Sequence, residues 1–135
     1  MRTQDVMTRA PYVGTQEMRL YQALQLMDRE GFRHLPVTEG RRLVGLLSDL
    51  DVKLAISRNY GTQDETVEDR ATLLRTVGEV MVRHPFSVRP DTPVRELVFA
   101  CVEHKLSAVP VVDPEGDLVG IVTTVDLLAL LLPHV

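Results

Sequence analysis

The sequence DVMTRAPY at residues 5–12 is repeated, with changes, as EVMVRHPF at residues 79–86, an offset of 74 residues. The same offset places His34–Val37 on Ala108–Val111. One additional residue in the later turn then aligns Leu43–Gly45 with Leu118–Gly120, and Asp51 with Asp126. Three similar blocks in the same order predict a duplicated structural unit, and such a repeat decides the architecture of a chain.

Both repeats predict the same order of elements. A short extended segment containing a proline comes first, and an amphipathic helix follows. The helix has apolar residues at positions i, i+3, i+4 and i+7: Leu20, Ala23, Leu24 and Met27 in the first copy, Val94, Leu97, Val98 and Cys101 in the second. Thr92 is predicted to be the N-cap of the second copy's helix, with Pro93 at its first helical position.

Two strands around a tight turn are predicted next, at residues 35–38 and 43–47 and again at 109–113 and 118–122. Gly40 and Gly116 supply the unusual backbone angles of the turns. Gly45 and Gly120 lie inside strands, where a missing side chain lets another backbone approach closely. A second helix is predicted to start at Ser48 or Thr123. Each repeat therefore reads β-α-β-β-α, and the chain is predicted to be an α/β (α+β) protein.

The predicted organisation is repeat 1 at residues 1–58, a connector at 59–78 and repeat 2 at 79–135. Within the joining segment, SRNYGTQDET at residues 57–66 is typical of an exposed loop. VEDRATLLRTVG at residues 67–78 predicts a short helix that leads into the second repeat.

Composition argues against several classes of function. The net charge of -4 is opposite to the positive charge that nucleic-acid binding requires, so a nucleic-acid partner is not expected. The single cysteine, Cys101, excludes an intramolecular disulfide and a cysteine-rich zinc site. The start of the chain lacks the apolar segment of a secretory signal, and the most apolar stretch, residues 125–132, is too short to span a bilayer. We therefore expect a cytoplasmic protein without membrane contact. No metal site is expected, because the four histidines lack ligand spacing: His34, His84, His104 and His134.

The motifs V-M-x-R-x-P, [H/A]-[L/V]-P-V and G-[L/I]-[L/V]-[S/T]-x-x-D resemble the cystathionine β-synthase (CBS) domain family, and both copies together cover almost the whole chain. The resemblance implies two units packed pseudo-symmetrically through their sheets, as in a Bateman module that commonly dimerises. Such modules bind AMP, ADP, ATP, S-adenosylmethionine or another adenosyl ligand in clefts between the repeats and regulate a partner. The connector is similar to that of stand-alone bacterial or archaeal members of the acetoin-utilisation type.

The resemblance implies that Asp51 and Asp126 bind ribose hydroxyls, with Ser48 and Thr123 near the sugar or phosphate. A carboxylate accepts two hydroxyl donors at once, and a helix N-terminus favours an anion. The same S/T-x-x-D pattern is also a capping box, in which the residues satisfy the start of the helix. The two roles can coexist, and the sequence leaves both open.

Arg33 and His34 precede the first Leu-Pro-Val strand, and the resemblance implies that residues at this position face the phosphates of the ligand. A guanidinium there makes a strong charge-assisted contact; the alternative is a surface arginine beside a partly buried histidine. The second copy has Ser107 and Ala108 instead. We therefore expect one site to prefer charged nucleotides, and the other to be weaker, empty or suited to an uncharged adenosyl group.

The resemblance also implies that the first strand of one repeat, here called its leading strand, faces the aspartate of the other. Residues 8–12 then lie with Asp126, and residues 83–86 with Asp51. Tyr12 or Phe86 is expected either to stack on a purine or to belong to the core. The complete predicted ligand-binding set is Thr8, Ala10, Pro11, Tyr12, Arg33, His34, Leu35, Pro36, Ser48, Asp51, Arg83, His84, Pro85, Phe86, Ser107, Ala108, Val109, Pro110, Thr123 and Asp126.

Three functions compete. The preferred one is a regulatory module that binds an adenosyl effector, requires no cofactor and acts on an unknown partner protein in trans. The alternative is an interaction or dimerisation module with vestigial clefts. It is supported by the apolar terminal helix at residues 127–132, which must be covered by the sister repeat or by a second chain, with a homodimer as the usual form. An enzyme is not expected, because no catalytic motif or catalytic residue is recognisable.

Overall fold

A computed structural model of the chain describes residues 1–56 and 61–135. The first repeat contains β1 (Thr8–Arg9), α1 (Leu20–Glu30), β2 (His34–Glu39), β3 (Arg42–Ser48) and α2 (Asp49–Ala55). The second contains β4 (Val82–Arg83), α5 (Val94–His104), β5 (Ala108–Val112), β6 (Leu118–Thr123) and α6 (Thr124–Ala129). The predicted β-α-β-β-α order and the mixed fold class are confirmed. Short 3-10 helices occupy Thr3–Asp5, Thr72–Leu74 and Leu132–His134.

The two sheets exchange their leading strands. One sheet has the order β2-β3-β4 and the other β1-β6-β5. β4 of the second repeat pairs antiparallel with β3 of the first, with Gly45 opposite Arg83. In the same way, β1 pairs with β6, with Arg9 opposite Gly120. Each three-stranded sheet is therefore completed by a strand from the other repeat.

Because of this exchange, the two compact units do not follow the repeats. Unit 1 contains residues 1–11, 40–43 and 85–135, and unit 2 contains residues 12–39 and 44–84. Unit 2 has a core of nine buried residues: Leu20, Ala23, Met27, Leu35, Val37, Leu47, Val52, Val77 and Met81. Unit 1 has a smaller core of Val88, Leu97, Val109, Val111 and Val122.

The predicted helix stripes are only partly buried. In α1, Leu20, Ala23 and Met27 enter the core as predicted. In α5 only Leu97 is buried, and Val98 remains 39% exposed. Periodicity identifies an apolar face without showing whether the same chain covers it, and the stripe of α5 is only partly covered.

The predicted N-cap of α5 was wrong. The helix begins at Val94, so Pro93 occupies the N-cap position. The hydroxyl of Thr92 instead accepts a hydrogen bond from the Arg89 N–H at 3.1 Å. The carbonyl of Thr92 accepts bonds from the backbone N–H and the hydroxyl of Thr3, each at 2.8 Å. Thr92 thus closes the turn before the helix and anchors the start of the chain.

The connector is helical over part of its length. Of the predicted loop, residues 57–60 lie outside the described part of the chain, and residues 61–64 are exposed. The helix predicted at residues 67–78 is divided into α3 (Val67–Ala71), a 3-10 turn and α4 (Val77–Val80), which leads directly into β4.

The predicted close approach at the strand glycines is confirmed. A Cβ atom added to Gly120 would lie 2.6 Å from the Met7 sulfur and 2.9 Å from the Thr8 backbone oxygen. A Cβ atom added to Gly45 would overlap the side chain of Met81. The sheet glycines therefore make room for the methionine that precedes each leading strand.

Gly120→Ala is expected to lower the free energy of unfolding by about 1–3 kcal/mol, because the new methyl group meets backbone that cannot move aside. Gly45→Ala is expected to cost less, since its crowded neighbour is a flexible thioether. Urea unfolding of both variants measures the difference. As a control, Met81→Ala should cost less in the Gly45→Ala background than in the wild type. A Gly120→Ala protein that unfolds at the wild-type midpoint would contradict this account.

Candidate functional site

Each compact unit carries one S/T-x-x-D motif where a central strand ends and a helix begins. In unit 2, β3 leads into α2 with Ser48 as the N-cap. In unit 1, β6 leads into α6 with Thr123 as the N-cap. The leading strand beside each central strand comes from the other repeat. The structure therefore places Arg83 and His84 in the same unit as Asp51, and Thr8, Ala10 and Pro11 in the same unit as Asp126.

Both motifs form capping boxes. The Asp51 carboxylate accepts a hydrogen bond from the Ser48 N–H through Oδ2, and the Ser48 hydroxyl accepts one from the Asp51 N–H, each at 3.0 Å. The corresponding distances for Thr123 and Asp126 are 2.8 and 3.3 Å. Each box engages Oδ2, and a carboxylate offers about four acceptor sites on its two oxygens. Capping is thus compatible with binding two further hydroxyl groups.

A third S/T-x-x-D box, not recognised in the sequence, lies in the connector. Thr66 caps α3, with Asp69 Oδ2 accepting from the Thr66 N–H at 2.8 Å and the Thr66 hydroxyl accepting from the Asp69 N–H at 3.1 Å. Thr66-Val67-Glu68-Asp69 follows the same S/T-x-x-D spacing, which was the available signal. No strand ends at this helix start in the described structure, whereas β3 and β6 end at the other two. The four-residue pattern alone therefore specifies only a helix cap. The helix starts at Ser48 and Thr123 differ from it because a sheet strand ends at each of them.

A residue with strained backbone comes directly after each leading strand. Ala10 has φ 46° and His84 has φ 49°, and the repeat offset places them at equivalent positions. Residues other than glycine seldom adopt positive φ, and such strain concentrates at functional sites. An alanine in the sequence gives no indication of positive φ, so this conformation of Ala10 could not be predicted. Its occurrence in both repeats marks the end of the leading strand as a constrained part of each candidate site.

The two candidate sites have matching backbones but different charges. In unit 2 the Arg33 carbonyl accepts a bond from the Asp49 N–H at 2.9 Å, and in unit 1 the Ser107 carbonyl accepts one from the Thr124 N–H at 3.0 Å. Arg33 and Ser107 are exposed, whereas Ala108 is buried. The two repeats therefore share this backbone hydrogen bond, but the residue whose carbonyl accepts it is charged in the first (Arg33) and uncharged in the second (Ser107).

His34 is half-buried in unit 2. Burial lowers its pKa, and the nearby Arg33 lowers it further, whereas the carboxylates of Asp49 and Asp51 act to raise it. His34 is thus close enough to both carboxylates to interact with them electrostatically. Protonation of His34 therefore changes the charge beside Asp51.

Arg83 is held by its own unit. Its guanidinium donates from Nη2 to the Gly78 carbonyl at 2.9 Å and from Nη1 to Gln16 Oε1 at 3.2 Å. The equivalent Arg9 in unit 1 donates to the Gln4 carbonyl at 3.4 Å. Arg83 therefore contributes to fixing the leading strand, whatever contact it makes with a ligand.

Neither aromatic residue of the predicted base pocket belongs to the core. Tyr12 is 52% exposed and Phe86 43% exposed. The ring of Tyr12 stacks on Phe32 with centroids 5.5 Å apart, and its hydroxyl donates to Glu30 Oε2 at 2.9 Å, which raises the pKa of Tyr12. Tyr12 lies in unit 2, and Phe86 lies in unit 1 with its ring near His104.

The strand residues of the predicted set serve mainly the cores. Leu35 and Val109 are completely buried within the two hydrophobic clusters. Pro36 and Pro110 are also buried, and their carbonyls accept bonds from the Gly14 and Val88 N–H groups. These positions therefore shape the backbone beneath each site, and Pro85 is half-buried in unit 1.

The lowered pKa of His34 predicts a loss of stability on mild acidification. The unfolded chain binds this proton more tightly than the folded protein does. The free energy of unfolding is therefore unaffected by His34 above its ordinary pKa of about 6.5, and it declines as the pH falls from there through the lower pKa of His34 in the folded protein. We expect the urea midpoint to decline between pH 7 and pH 5. His34→Ala, which introduces the residue found at position 108, should flatten this decline. An unchanged slope in the variant would contradict the assignment of the decline to His34.

Across residues 1–56 and 61–135, no helix is long and apolar enough to cross a membrane. Within the same residues, no group of three or more histidine, cysteine, aspartate or glutamate side chains is arranged to hold a metal ion. The geometry of the two sites thus rests on carboxylates, helix starts and strained strand ends.

Comparison of the chain with protein families identifies the CBS domain twice, at residues 4–58 and 77–133. The L-aspartate semialdehyde sulfurtransferase of Methanocaldococcus jannaschii is 26% identical over 124 residues, which cover 91% of this chain and 22% of that protein. The inosine-5'-monophosphate dehydrogenase of Korarchaeum cryptofilum is 31% identical over 122 residues, covering 90% and 21%. The chain therefore spans about a fifth of the length of these two relatives.

Solved structures share the fold over nearly the whole chain. CBSX2, determined in complex with AMP, has a TM-score of 0.82 and 28% identity, covering 98% of this chain and 97% of its own. A putative acetoin utilization protein from Vibrio cholerae has a TM-score of 0.82 and 26% identity, covering 99% and 92%. The CBS domain pair of protein MJ0100, in complex with 5'-methylthioadenosine and S-adenosyl-L-methionine, has a TM-score of 0.80 and 25% identity, covering 96% and 98%.

Proposed function

The chain belongs to the CBS domain family, and from this we propose that it is a regulatory module that binds an adenine nucleotide or another adenosyl ligand. One observation carries the proposal: the S/T-x-x-D helix starts at Ser48 and Thr123 each follow a strand that pairs with the leading strand of the other repeat, and a residue with positive φ comes directly after that leading strand. A capping function alone does not require this arrangement, since Thr66 and Asp69 form the same box without it.

The chemistry of each helix start suits a nucleoside. Asp51 and Asp126 are partly exposed, and each carboxylate can accept two ribose hydroxyls while Oδ2 keeps its bond to the N-cap N–H. AMP is present in CBSX2, and 5'-methylthioadenosine and S-adenosyl-L-methionine are present in the MJ0100 pair. These complexes support an adenosyl group as the shared feature of the ligand.

The charge difference supports unequal ligands for the two sites. The unit 2 site has Arg33 and His34 beside the Asp51 helix, so we propose that it prefers ligands with phosphates. The unit 1 site has Ser107 and Ala108 at these positions. We propose that it binds an uncharged adenosyl group, or binds more weakly. Thr8, Ala10 and Pro11 would then meet the ligand near Asp126, and Arg83 and His84 the one near Asp51.

The biological role is proposed at a coarser level. The enzyme names of the relatives belong to much longer chains, of which this chain covers 22% and 21%. We propose a cytoplasmic homodimer that requires no cofactor, catalyses no reaction and transmits ligand binding to a partner protein in trans.

A second function is favoured by a specific observation. Helices α5 and α6 leave large apolar side chains exposed, among them Val102, Val125 and Leu128. Together with the missing arginine at position 107, this favours an interaction module in which the ligand sites have lost their function. In that case the chain would act only by binding other proteins.

A thermal-shift screen separates the two functions. AMP, ADP, ATP, S-adenosylmethionine, 5'-methylthioadenosine and NAD are added separately to the purified protein. A ligand at a hundred times its dissociation constant should stabilise the fold by roughly 2.7 kcal/mol, and at least one compound is expected to raise the melting temperature. An unchanged melting temperature with all six compounds would favour the interaction module.

A further inference from the structure

The side chain of Arg83 bridges two other segments of unit 2. Its guanidinium donates to the carbonyl of Gly78 at 2.9 Å and to the side-chain oxygen of Gln16 at 3.2 Å. Gly78 lies in α4, and Gln16 lies in the turn before α1. These two segments are themselves joined, because the Gly78 N–H donates to the Gln16 carbonyl at 3.0 Å. Arg83 therefore closes a junction between α4, the turn before α1, and β4.

The glycine at position 78 makes this junction possible. Gly78 is buried, and a Cβ atom added there would lie 3.1 Å from the Cβ atom of Gln16 and 3.3 Å from its Oε1 atom. These distances are shorter than an ordinary van der Waals contact. The absence of a side chain on Gly78 thus lets the side chain of Gln16 lie against α4 and accept a hydrogen bond from Arg83.

Unit 1 has different residues at the equivalent positions. The offset of 74 residues places Pro90 at the position of Gln16 and a glutamine, Gln4, at that of Gly78. The backbone bond between them is kept, from the Gln4 N–H to the Pro90 carbonyl at 2.8 Å, but proline has no side-chain acceptor. Arg9 of β1 donates to the Gln4 carbonyl at 3.4 Å, which is longer than a usual N–H···O bond. The same backbone frame thus lacks the glutamine contact in unit 1.

The junction lies directly before a residue with strained backbone. His84 follows β4 and has φ 49°, and such strain persists only where the surrounding structure fixes it. The pairing of β4 with β3, with Gly45 opposite Arg83, is one restraint. The bond from the His84 N–H to the Val44 carbonyl is long, at 3.4 Å. The side-chain bonds of Arg83 supply a second restraint on this part of the backbone.

We infer that Arg83 is a positioning residue of the unit 2 site: held by Gln16 and Gly78, it fixes the end of β4 in the conformation that meets the ligand. The inference rests on the proposed function and changes the role of Arg83 within it, from a contact with the ligand to a support of the strand. A surface that is ordered before the ligand arrives loses less conformational entropy on binding. The residue at position 16 therefore makes the unit 2 site the more preorganised of the two.

The first test separates a support from a ligand contact by calorimetric titration with AMP. All proteins carry Asp126→Ala, so that the titration reports mainly on unit 2. Gln16→Ala removes the acceptor and leaves Arg83 in place, and it is expected to weaken AMP binding by roughly 3–10-fold, the equivalent of one lost hydrogen bond. Gln16→Glu restores an acceptor and should stay within about threefold of the parent affinity. Gln25→Ala, the same change on the exposed surface of α1, is the control and should leave the affinity unchanged.

Arg83→Ala completes the comparison, because it removes the guanidinium in either role. The inference predicts that Arg83→Ala and Gln16→Ala both weaken AMP binding. A loss of affinity in Arg83→Ala with parent affinity in Gln16→Ala would show that Arg83 contacts the ligand directly, and it would overturn the inference. Parent affinity in both variants would overturn it as well.

The second test needs no ligand and compares backbone hydrogen exchange by NMR. Exchange at His84 is expected to be roughly 3–10-fold faster in Gln16→Ala than in the wild type, with a smaller change at the buried Met27 of the same unit and none at Ala10. An unchanged rate at His84, or an equal change at Met27, would overturn the inference even if AMP binds. If the wild type binds no AMP but His84 exchanges faster as expected, the proposed function fails and the support of β4 by Arg83 is retained.

Discussion

Asp51→Ala and Asp126→Ala are each expected to weaken binding of the ligand at their own site by about 10–100-fold. Hydrogen bonds to a charged group contribute about 1.5–3 kcal/mol each, and 1.4 kcal/mol corresponds to a factor of ten. The loss follows from removal of the carboxylate that accepts the ribose hydroxyls. Isothermal titration calorimetry of each variant with the ligand identified in the thermal-shift screen measures the effect.

The connector provides the control for this prediction. Asp69→Ala removes the carboxylate of an equivalent capping box, whose distances of 2.8 and 3.1 Å match those of the two site boxes. Each of the three substitutions should cost about 1 kcal/mol of stability through loss of a cap. Only those at positions 51 and 126 should reduce affinity. Wild-type affinity in both site variants would show that these aspartates are caps and nothing more.

The second large effect concerns ligand choice. Introducing the residues of the second repeat by the changes Arg33→Ser and His34→Ala should lower the affinity of unit 2 for AMP by about 10–100-fold, since a charge-assisted contact to phosphate is lost. Binding of 5'-methylthioadenosine, which has no phosphate, should change less than threefold. Competition titrations of the double variant with both compounds measure the ratio of affinities.

The reciprocal change tests the same idea in unit 1. Ser107 is exposed, so Ser107→Arg introduces a guanidinium without disturbing the core. We expect this variant to gain affinity for AMP relative to 5'-methylthioadenosine. If neither the loss at position 33 nor the gain at position 107 is seen, position 33 is a surface arginine unrelated to phosphate binding.

The features predicted well from the sequence are those whose pattern occurs in both repeats. The β-α-β-β-α order follows from hydrophobic periodicity and turn glycines found in both copies. Gly45 and Gly120 were recognised because glycine inside an apolar strand has few explanations other than a close neighbour. In these cases local sequence and tertiary structure agree, which is the condition under which such reasoning works.

The features that were missed depend on contacts between distant parts of the chain. Thr92 was expected to cap α5, yet its carbonyl binds Thr3, 89 residues away, and its hydroxyl closes a turn. Val98 belongs to the apolar stripe of α5 yet is 39% exposed, because whether an apolar face is covered depends on what packs against it. The positive φ of Ala10 has no signature in an alanine, and it became visible only from the backbone.

The candidate site shows the same division. The sequence identified both S/T-x-x-D motifs and the loss of Arg33 and His34 in the second copy. It did not distinguish a cap from a ligand site, because the same four-residue pattern forms a box at Thr66 and Asp69. The proposal of a ligand site rests instead on the leading strand of the other repeat, which pairs with the strand that ends at each of the two helix starts.

The central claim is that these two helix starts bind adenosyl ligands. Its most direct test is calorimetric titration of the wild-type protein and of the double variant Asp51→Ala, Asp126→Ala with AMP, ATP and S-adenosylmethionine. The account predicts saturable binding of at least one compound by the wild type, and binding of that compound that is weaker by about 10–100-fold in a folded double variant. The absence of binding to the wild type, or equal affinity in the double variant, would contradict it.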